Sequence, residues 1–179
     1  MAKQKILRVA IVGPESTGKT SLAVQLADEF DSLCVPEYSR SYLEELNRPY
    51  LQADLIEIAR GQLALEKLFF PQANKVLFCD TNLLVIKIWS EYKYGSLDPA
   101  LEKLVDLNTY DLHLLPDIDL PWTEDPLREH PSVEDRERLF HLYKQALIEA
   151  EAPFEIIRGI GESRLEMAQR AVLRLIQEV

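Results

Sequence analysis

The stretch IVGPESTGKTSL, from Ile11 to Leu22, decides the fold class of this 179-residue chain. Its residues from Gly13 to Thr20 fit the pattern G-x-x-x-x-G-K-[ST], whose glycines let backbone N–H groups converge on phosphate oxygens. In such a loop Lys19 reaches the β- and γ-phosphates, and the Thr20 hydroxyl takes a place on Mg²⁺. We therefore predict a P-loop, with ATP and Mg²⁺ as cofactors. The expected nucleotide-binding residues are Gly13, Glu15, Ser16, Thr17, Gly18, Lys19, Thr20 and Ser21.

The flanking residues predict a strand before this loop and a helix after it. Ile6 to Val12 is nearly all apolar, as in a central strand of a parallel sheet, and Leu22, Leu26 and Phe30 recur at helical spacing. Further strand-like runs, SLCVPEY, KVLFCD, YDLHLLP and FEIIRG, alternate with helical patterns. We predict a P-loop NTPase of the α/β class, with a five-stranded parallel sheet flanked by helices, as a single domain over residues 1–179.

A P-loop needs a second carboxylate for its metal at the end of a neighbouring strand. Asp80 closes the run KVLFCD and fits that place. Asp80 could also cap the helix that follows, and the two roles are compatible. Thr20 and Asp80 are therefore the predicted metal ligands.

Charge and missing motifs narrow the class of P-loop protein. The formal net charge of −10 disfavours nucleic acid and anionic membranes as partners. The first apolar run is too short to span a membrane and has no cleavage site, so we expect a cytoplasmic protein. The guanine-reading [NT]-K-x-D element of switch GTPases is missing, and a motor would need a basic surface and more chain. A small-molecule kinase remains.

An acceptor site is predicted where the second strand ends. The run PEYSR places Glu37 and Arg40 about one helical turn apart. Glu37 can accept a proton from a substrate hydroxyl, and Arg40 can orient the acceptor or the phosphate. The alternative is a capping carboxylate with a surface ion pair.

A lid is predicted near residues 117–138. The segment DIDLPWTEDPLREHP, residues 117–131, has three prolines, many charges and no period. Arg128 within it can stabilise charge on a transferring phosphoryl group. The alternative is that Arg128, Arg136 and Arg138 are solvated charges.

Several motifs together resemble one known group. They are GPESTGKTSL, VPEYSRSYLEE, ARGQL, FCDTN, LPWTEDPLR and FEIIRG, in this order. Over nearly its whole length the chain resembles the nicotinamide riboside kinase domain of NadR-type proteins. The resemblance implies the strand order 2-3-1-4-5 and transfer of the γ-phosphate of ATP to the 5′-hydroxyl of nicotinamide riboside. That family often carries an adenylyltransferase or repressor domain as well, and we expect neither here.

The resemblance also assigns roles to matching residues. It makes Asp80 a metal or catalytic carboxylate. Either Glu37 or Asp80 would receive the hydroxyl proton; we expect Glu37 in that role and Asp80 on Mg²⁺. With Lys19 and Arg128, which would neutralise the transferring phosphoryl group, the expected catalytic residues are Lys19, Glu37, Asp80 and Arg128. The implied acceptor-site and lid residues are Glu37, Tyr38, Arg40, Gln62, Trp122 and Asp125. For Tyr38 and Gln62, packing explains the residue equally well. Gly159, in the turn after the fifth strand, is expected to border the adenine.

Two positions depart from that family. Pro36 stands where a tryptophan commonly precedes E-Y-x-R, and Pro126 stands where glycine is usual in the lid. Phe69, Phe70, Tyr38 or Trp122 could supply another aromatic wall. The first acceptor to expect is nicotinamide riboside; the alternatives are another hydroxylated metabolite and an ATP-binding sensor with little transfer. The sequence leaves a homo-oligomer, and the choice between ATP and GTP, open.

Overall fold

The computed structural model describes residues 5–178, so the two ends of the predicted domain at residues 1–4 and 179 lie outside the described residues. The strands are β1 (Leu7–Ile11), β2 (Leu33–Val35), β3 (Val76–Asp80), β4 (Leu112–Pro116) and β5 (Phe154–Ile157). The helices are α1 (Lys19–Glu29), α2 (Tyr38–Glu45), α3 (Gln52–Phe69), α4 (Leu83–Tyr94), α5 (Pro99–Glu102), α6 (Val133–Glu149) and α7 (Glu162–Gln177).

The five strands form one parallel sheet in the order β2-β3-β1-β4-β5. In the centre of the sheet, Val9 of β1 lies between Phe78 of β3 and Leu112 of β4. The predicted fold class and strand order are confirmed. Because all strands run the same way, the carboxyl ends of β1 and β3 meet at one edge of the sheet, where open α/β sheets bind ligands.

Alternation along β1 builds a core on each face of the sheet. Val9 and Ile11 pack with α1 and α7 on one face, and Ala10 and Val12 pack with α4 and α6 on the other. The strand is almost fully buried because helices cover both faces, which explains its nearly continuous apolar sequence.

The run PALEKLVDLN between α4 and β4 forms only the short α5 and a 3₁₀ turn at Leu107–Thr109, because Asp98 and Asp106 each start a new turn by capping it. Residues 117–132 contain no helix or strand, as expected for the predicted lid, but residues 133–138 already belong to α6.

Candidate functional site

The P-loop joins the end of β1 to the start of α1, and both of its glycines have backbone angles that other residues rarely adopt. Gly13 has φ +141°, and an added Cβ would lie 3.2 Å from Cδ1 of Leu115. Gly18, which precedes α1, has φ +76°, and an added Cβ would lie 3.0 Å from Cδ1 of Leu120. The loop therefore turns directly into α1, whose first N–H groups have no partner within the helix and can face an anion.

Side chains inside the loop hold its shape. The Thr17 hydroxyl is fully buried and donates to the carbonyl oxygen of Pro14 at 2.9 Å. The Lys19 ammonium donates to the same oxygen at 2.7 Å. Burial lowers the pKa of Lys19, while Glu37, Asp80 and Glu15 oppose that shift by their negative charge. The negative charges of these three carboxylates thus favour the charged form of the Lys19 ammonium.

Asp80 ends β3 beside the P-loop and is only 2% exposed. Burial raises the pKa of Asp80 to about 6, and the Thr20 hydroxyl opposes the shift. Its Oδ1 has no hydrogen-bond partner among the described residues. The helix-capping role considered for Asp80 belongs to Asn82, whose Oδ1 accepts from the N–H of Leu84 at 3.0 Å. Asp80 is therefore free to serve another group at this edge of the sheet.

The residues around Asp80 fit a hard cation that also binds phosphate. Residues 5–178 contain no group of three or more His, Cys, Asp or Glu arranged to hold a metal ion. An orphaned carboxylate oxygen next to a hydroxyl matches the few protein ligands that Mg²⁺ takes when phosphate oxygens and water supply the rest.

Glu37 lies directly before α2 and lines the same cleft as the P-loop. Its Oε1 accepts a hydrogen bond of 2.6 Å from the hydroxyl of Ser39, which leaves Oε2 for another partner. Arg40, one turn later, lies 3.1 Å from Asp125 and so ties α2 to the segment after β4. The predicted spacing of Glu37 and Arg40 is confirmed, and Asp125 contacts Arg40 while lying outside the cleft lining.

Tyr38 and Gln62 support the start of α2 and do not line the cleft. The buried Gln62 accepts through Oε1 from the backbone N–H of Tyr38 at 2.9 Å. The Tyr38 ring lies on Gly61 of α3, where an added Cβ would come within 2.0 Å of Tyr38 Cε1. Packing, the alternative considered for both residues, describes their observed contacts.

The middle of the P-loop contacts the segment between β4 and α6. Both carboxylate oxygens of Glu15 accept from the backbone N–H of Glu129, at 3.0 and 3.1 Å, and one also accepts from that of His130 at 3.0 Å. The Ser16 hydroxyl accepts from the N–H of Thr123 at 2.8 Å. Arg136, 4% exposed, donates to the carbonyl oxygen of Ser16 at 3.2 Å. Glu15 and Ser16 thus position the predicted lid, and Arg136 is not a solvated charge.

Arg128 lines the same cleft as the P-loop, and the Trp122 ring lies close to it. The Arg128 guanidinium carbon is 5.8 Å from the centre of the Trp122 ring, and that of Arg136 is 6.0 Å away. Arg128 also donates to the carbonyl oxygen of Thr123. Trp122 therefore contacts two arginines of the predicted lid and is not among the residues that line the cleft.

Gly159 lies in the turn from β5 to α7, outside the cleft lining. Its N–H donates to Oδ2 of Asp119 at 2.7 Å. An added Cβ would lie 2.6 Å from the Ser163 hydroxyl, and φ is +96°, so the tight turn requires glycine. Asp119 thereby links this turn to the segment that contacts the P-loop.

The aromatic wall of the cleft comes from residues that the sequence reasoning missed. The cleft has a volume of about 200 Å³, and its aromatic lining residues are Trp89, Tyr92 and Tyr143. Phe69 and Phe70, considered as alternatives, pack against the core instead. A signal was present, because Val85, Ile88, Trp89 and Tyr92 are spaced to share one face of α4.

A family model described as an AAA domain matches residues 8–164. The chain belongs to this AAA domain family. This AAA domain is 32% identical over 152 residues to the trifunctional NAD biosynthesis/regulator protein NadR of Escherichia coli K12. The match covers 82% of this chain and 37% of that protein, so the chain spans little more than a third of the length of this relative.

Solved structures share the fold of this AAA domain. A NadR protein in complex with NR superposes with a TM-score of 0.81 at 23% identity, and a NadR structure with NAD and AMP-PNP with 0.76 at 23%. Each match covers 96% of this chain, and 52% and 50% of the NadR chains. Thymidylate kinase from Ehrlichia chaffeensis gives 0.67 at 15% identity, covering 96% of this chain and 98% of that chain. The resemblance to NadR-type proteins and the P-loop kinase fold are confirmed.

Among residues 5–178 of this AAA domain, no helix combines the length and the apolarity needed to cross a membrane.

Proposed function

We propose that this AAA domain is an ATP-dependent small-molecule kinase that phosphorylates the 5′-hydroxyl of nicotinamide riboside. The observation that carries the proposal is one cleft that brings Lys19, Glu37 and Arg128 together beside a P-loop. The acceptor identity draws on the sequence identity to NadR and on the NadR complex with NR. The expected cytoplasmic location stays a prediction.

The phosphate donor is ATP, which the P-loop holds by its backbone N–H groups and the start of α1. Thr20 and Asp80 would hold Mg²⁺, which would neutralise negative charge on the phosphates. Lys19 and Arg128 line the same cleft and stabilise the charge that the transferring phosphoryl group develops.

Glu37 is the general base of this mechanism. Ser39 fixes one carboxylate oxygen, and the other accepts the proton of the acceptor hydroxyl as its oxygen attacks the γ-phosphorus of ATP. The bond from the γ-phosphorus to the β–γ bridging oxygen breaks, and ADP leaves with that oxygen. Asp80 carries no proton in this scheme because it serves the metal. Arg40, held by Asp125, closes the acceptor side of the cleft.

Steady-state consumption of ATP with a panel of acceptors tests the proposal. We expect the purified protein with Mg²⁺ and ATP to turn over when nicotinamide riboside is added, and not without an acceptor. Lys19→Ala should lower turnover by at least about 10²-fold, since it removes a charge that stabilises the transition state. Glu37→Gln should lower kcat by about 10²- to 10⁴-fold while the KM for ATP stays unchanged.

Three results would contradict the proposal. An unchanged rate in Glu37→Gln would reject Glu37 as the base. Turnover of adenosine, cytidine or thymidine in place of nicotinamide riboside would reject the acceptor and keep the kinase. Thermal stabilisation by ATP without phosphorylation of any acceptor would favour an ATP-binding sensor.

A further inference from the structure

The cleft has a polar end at the P-loop and an apolar end between α2, α4 and α6. At the polar end, Lys19, Glu37 and Arg128 are placed to serve the transferred phosphoryl group. The apolar end is lined by Leu43, Val85, Ile88, Trp89, Leu139 and Tyr143. An acceptor that reaches Glu37 with a hydroxyl therefore places the rest of its structure against apolar and aromatic side chains.

Trp89 is held in one orientation by its neighbours. Its indole Nε1 donates to the hydroxyl of Tyr50 at 2.9 Å. The two rings pack edge to face, with centroids 4.8 Å apart and planes at 66°. Since hydrogen bond and ring contact both involve Tyr50, the indole offers a preformed flat surface and loses little side-chain entropy when a ligand binds.

Tyr143 supplies a polar group inside the apolar end. Its side chain is 4% exposed and lines the cleft, and its hydroxyl is not among the enclosed polar atoms that lack a hydrogen-bond partner. Burial, followed by the charges of Glu37 and Glu15, raises the pKa of Tyr143 far above its ordinary range. The hydroxyl therefore keeps its proton at neutral pH and can donate it in a hydrogen bond. A hydroxyl in the wall of a cleft can donate to a polar group that a ligand brings there.

We infer that the acceptor carries a flat heterocyclic ring that lies against Trp89, and that Tyr143 donates a hydrogen bond to an oxygen or nitrogen of the same acceptor. This inference rests on the proposed kinase function and deepens it. It assigns the selection of the acceptor to Trp89 of α4 and Tyr143 of α6, whereas Lys19, Glu37 and Arg128 serve the reaction itself.

Stacking on a tryptophan and hydrogen bonding to a buried hydroxyl select for different parts of the acceptor. Every heterocyclic base has a π-face, so Trp89 separates ring-bearing acceptors from a bare sugar and does little to separate one base from another. Tyr143 separates acceptors by the presence of a hydrogen-bond acceptor, because an analogue without one leaves the hydroxyl unpaired.

Calorimetric titration of the intact chain with nicotinamide riboside, adenosine and D-ribose, in the presence of AMP-PNP and Mg²⁺, tests the inference. We expect at least one of the two nucleosides to bind and ribose to bind at least about tenfold more weakly. Trp89→Ala should weaken nucleoside binding by about tenfold or more, and Trp89→Phe should bind nearly as the wild type does. Tyr143→Phe should weaken binding by about 5- to 10-fold.

Matched variants separate this role from a general effect on folding. Tyr94→Phe removes a hydroxyl from the same helix as Trp89 but outside the cleft lining, and it should bind as the wild type does. If Trp89→Ala does not fold, Trp89→Leu keeps an apolar side chain without a ring and should show the same loss. Unchanged nucleoside affinity in Trp89→Leu and Tyr143→Phe would overturn the inference, as would equal binding of ribose and nucleosides.

The outcomes distinguish this inference from the proposed function. Nucleosides that bind through Trp89 and Tyr143 without being phosphorylated would reject the kinase and keep the ring site. Phosphorylation of nicotinamide riboside with an unchanged KM in Trp89→Leu and Tyr143→Phe would keep the kinase and reject the ring site. Absence of nucleoside binding to the wild-type chain would overturn the inference directly.

Discussion

At the end of β3, Asp80 is 2% exposed and its Oδ1 has no hydrogen-bond partner among residues 5–178. A charged carboxylate in such a place lowers the free energy of unfolding, because burial penalises the ionised form. The Asp80 carboxylate lies beside Lys19 and Thr20, where it can bind a cation that also binds phosphate. Asp80 is therefore expected to favour function at the expense of stability.

The pH dependence of stability tests this trade-off at Asp80. The pKa of Asp80 is raised to about 6, so the folded chain binds this proton more tightly than the unfolded chain does. The free energy of unfolding should therefore decrease as the pH rises from about 4 to about 6 and then level off. Asp80→Asn should remove this decrease and be more stable than the wild type by about 1–3 kcal/mol at neutral pH.

Urea unfolding without nucleotide, at several pH values, measures that difference. Other groups titrate in both proteins, and His113, whose pKa burial lowers to about 4, is one of them. The comparison between wild type and Asp80→Asn cancels their contribution. If the free energies of unfolding of the two proteins change in parallel from pH 4 to 7.5, the buried charge of Asp80 does not lower the stability.

Ser39 is expected to position the proposed base. Its hydroxyl donates to Oε1 of Glu37 at 2.6 Å, which limits the orientations of the carboxylate. Ser39→Ala should lower kcat by about 3- to 10-fold without changing the KM for ATP, because one hydrogen bond to the base is lost. Ser39→Thr, which keeps the hydroxyl, should restore most of the rate in the same kinetic assay. Equal rates for Ala and Thr at this position would reject the role.

At the scale of elements, the contact between α2 and α3 orients the acceptor side of the cleft. Gly61 lies inside α3, where helix propensity alone favours alanine over glycine by about 1 kcal/mol. Packing opposes this, since an added Cβ would lie 2.0 Å from Cε1 of Tyr38, and overpacking typically costs about 1–3 kcal/mol. Because the clash is severe, we expect packing to outweigh propensity.

Gly61→Ala should therefore destabilise the protein by about 1–2 kcal/mol in urea unfolding. A double-mutant cycle with Tyr38→Ala isolates the cause. In the Tyr38→Ala background the ring is gone, so Gly61→Ala should become neutral or stabilising. A loss of the same size in both backgrounds would assign the effect of Gly61→Ala to another contact.

The elements also show which features a sequence can predict. The P-loop, the parallel sheet and the start of α2 follow from local patterns, and the structure confirms them. The hydrogen bonds of Glu15 to residues 129 and 130 join positions more than a hundred residues apart. A local sequence pattern does not predict such a contact. The loop pattern therefore suggested only phosphate binding for Glu15, whereas the structure shows that Glu15 holds the segment after β4.

The aromatic lining was missed for a related reason. Trp89 and Tyr92 lie on one face of α4, and that spacing alone does not distinguish a core face from a cleft face. Only the position of α4 beside the P-loop makes the distinction. Conversely, Tyr38 and Gln62 belong to recognisable motifs, but the start of α2 places Tyr38 against Gly61 and Gln62 of α3.

At the scale of the whole molecule, the two parts of the cleft divide the proposed work. The carboxyl edge of β1 and β3, together with α1, provides the phosphate and metal end, while α2, α4 and α6 provide the acceptor end. The segment from residue 117 to 132 contacts both, through Ser16 of the P-loop and through Arg40 of α2. A kinase needs this connection because donor and acceptor must meet away from water.

The proposed phosphorylation of nicotinamide riboside is best tested by measuring the formation of nicotinamide mononucleotide. Wild type, Lys19→Ala and Glu37→Gln are each incubated with ATP, Mg²⁺ and nicotinamide riboside, and the product is quantified by mass spectrometry. We expect phosphorylated product from the wild type, and at least about 10²-fold less from each variant. No phosphorylated nicotinamide riboside from a folded wild-type protein that binds ATP would contradict it.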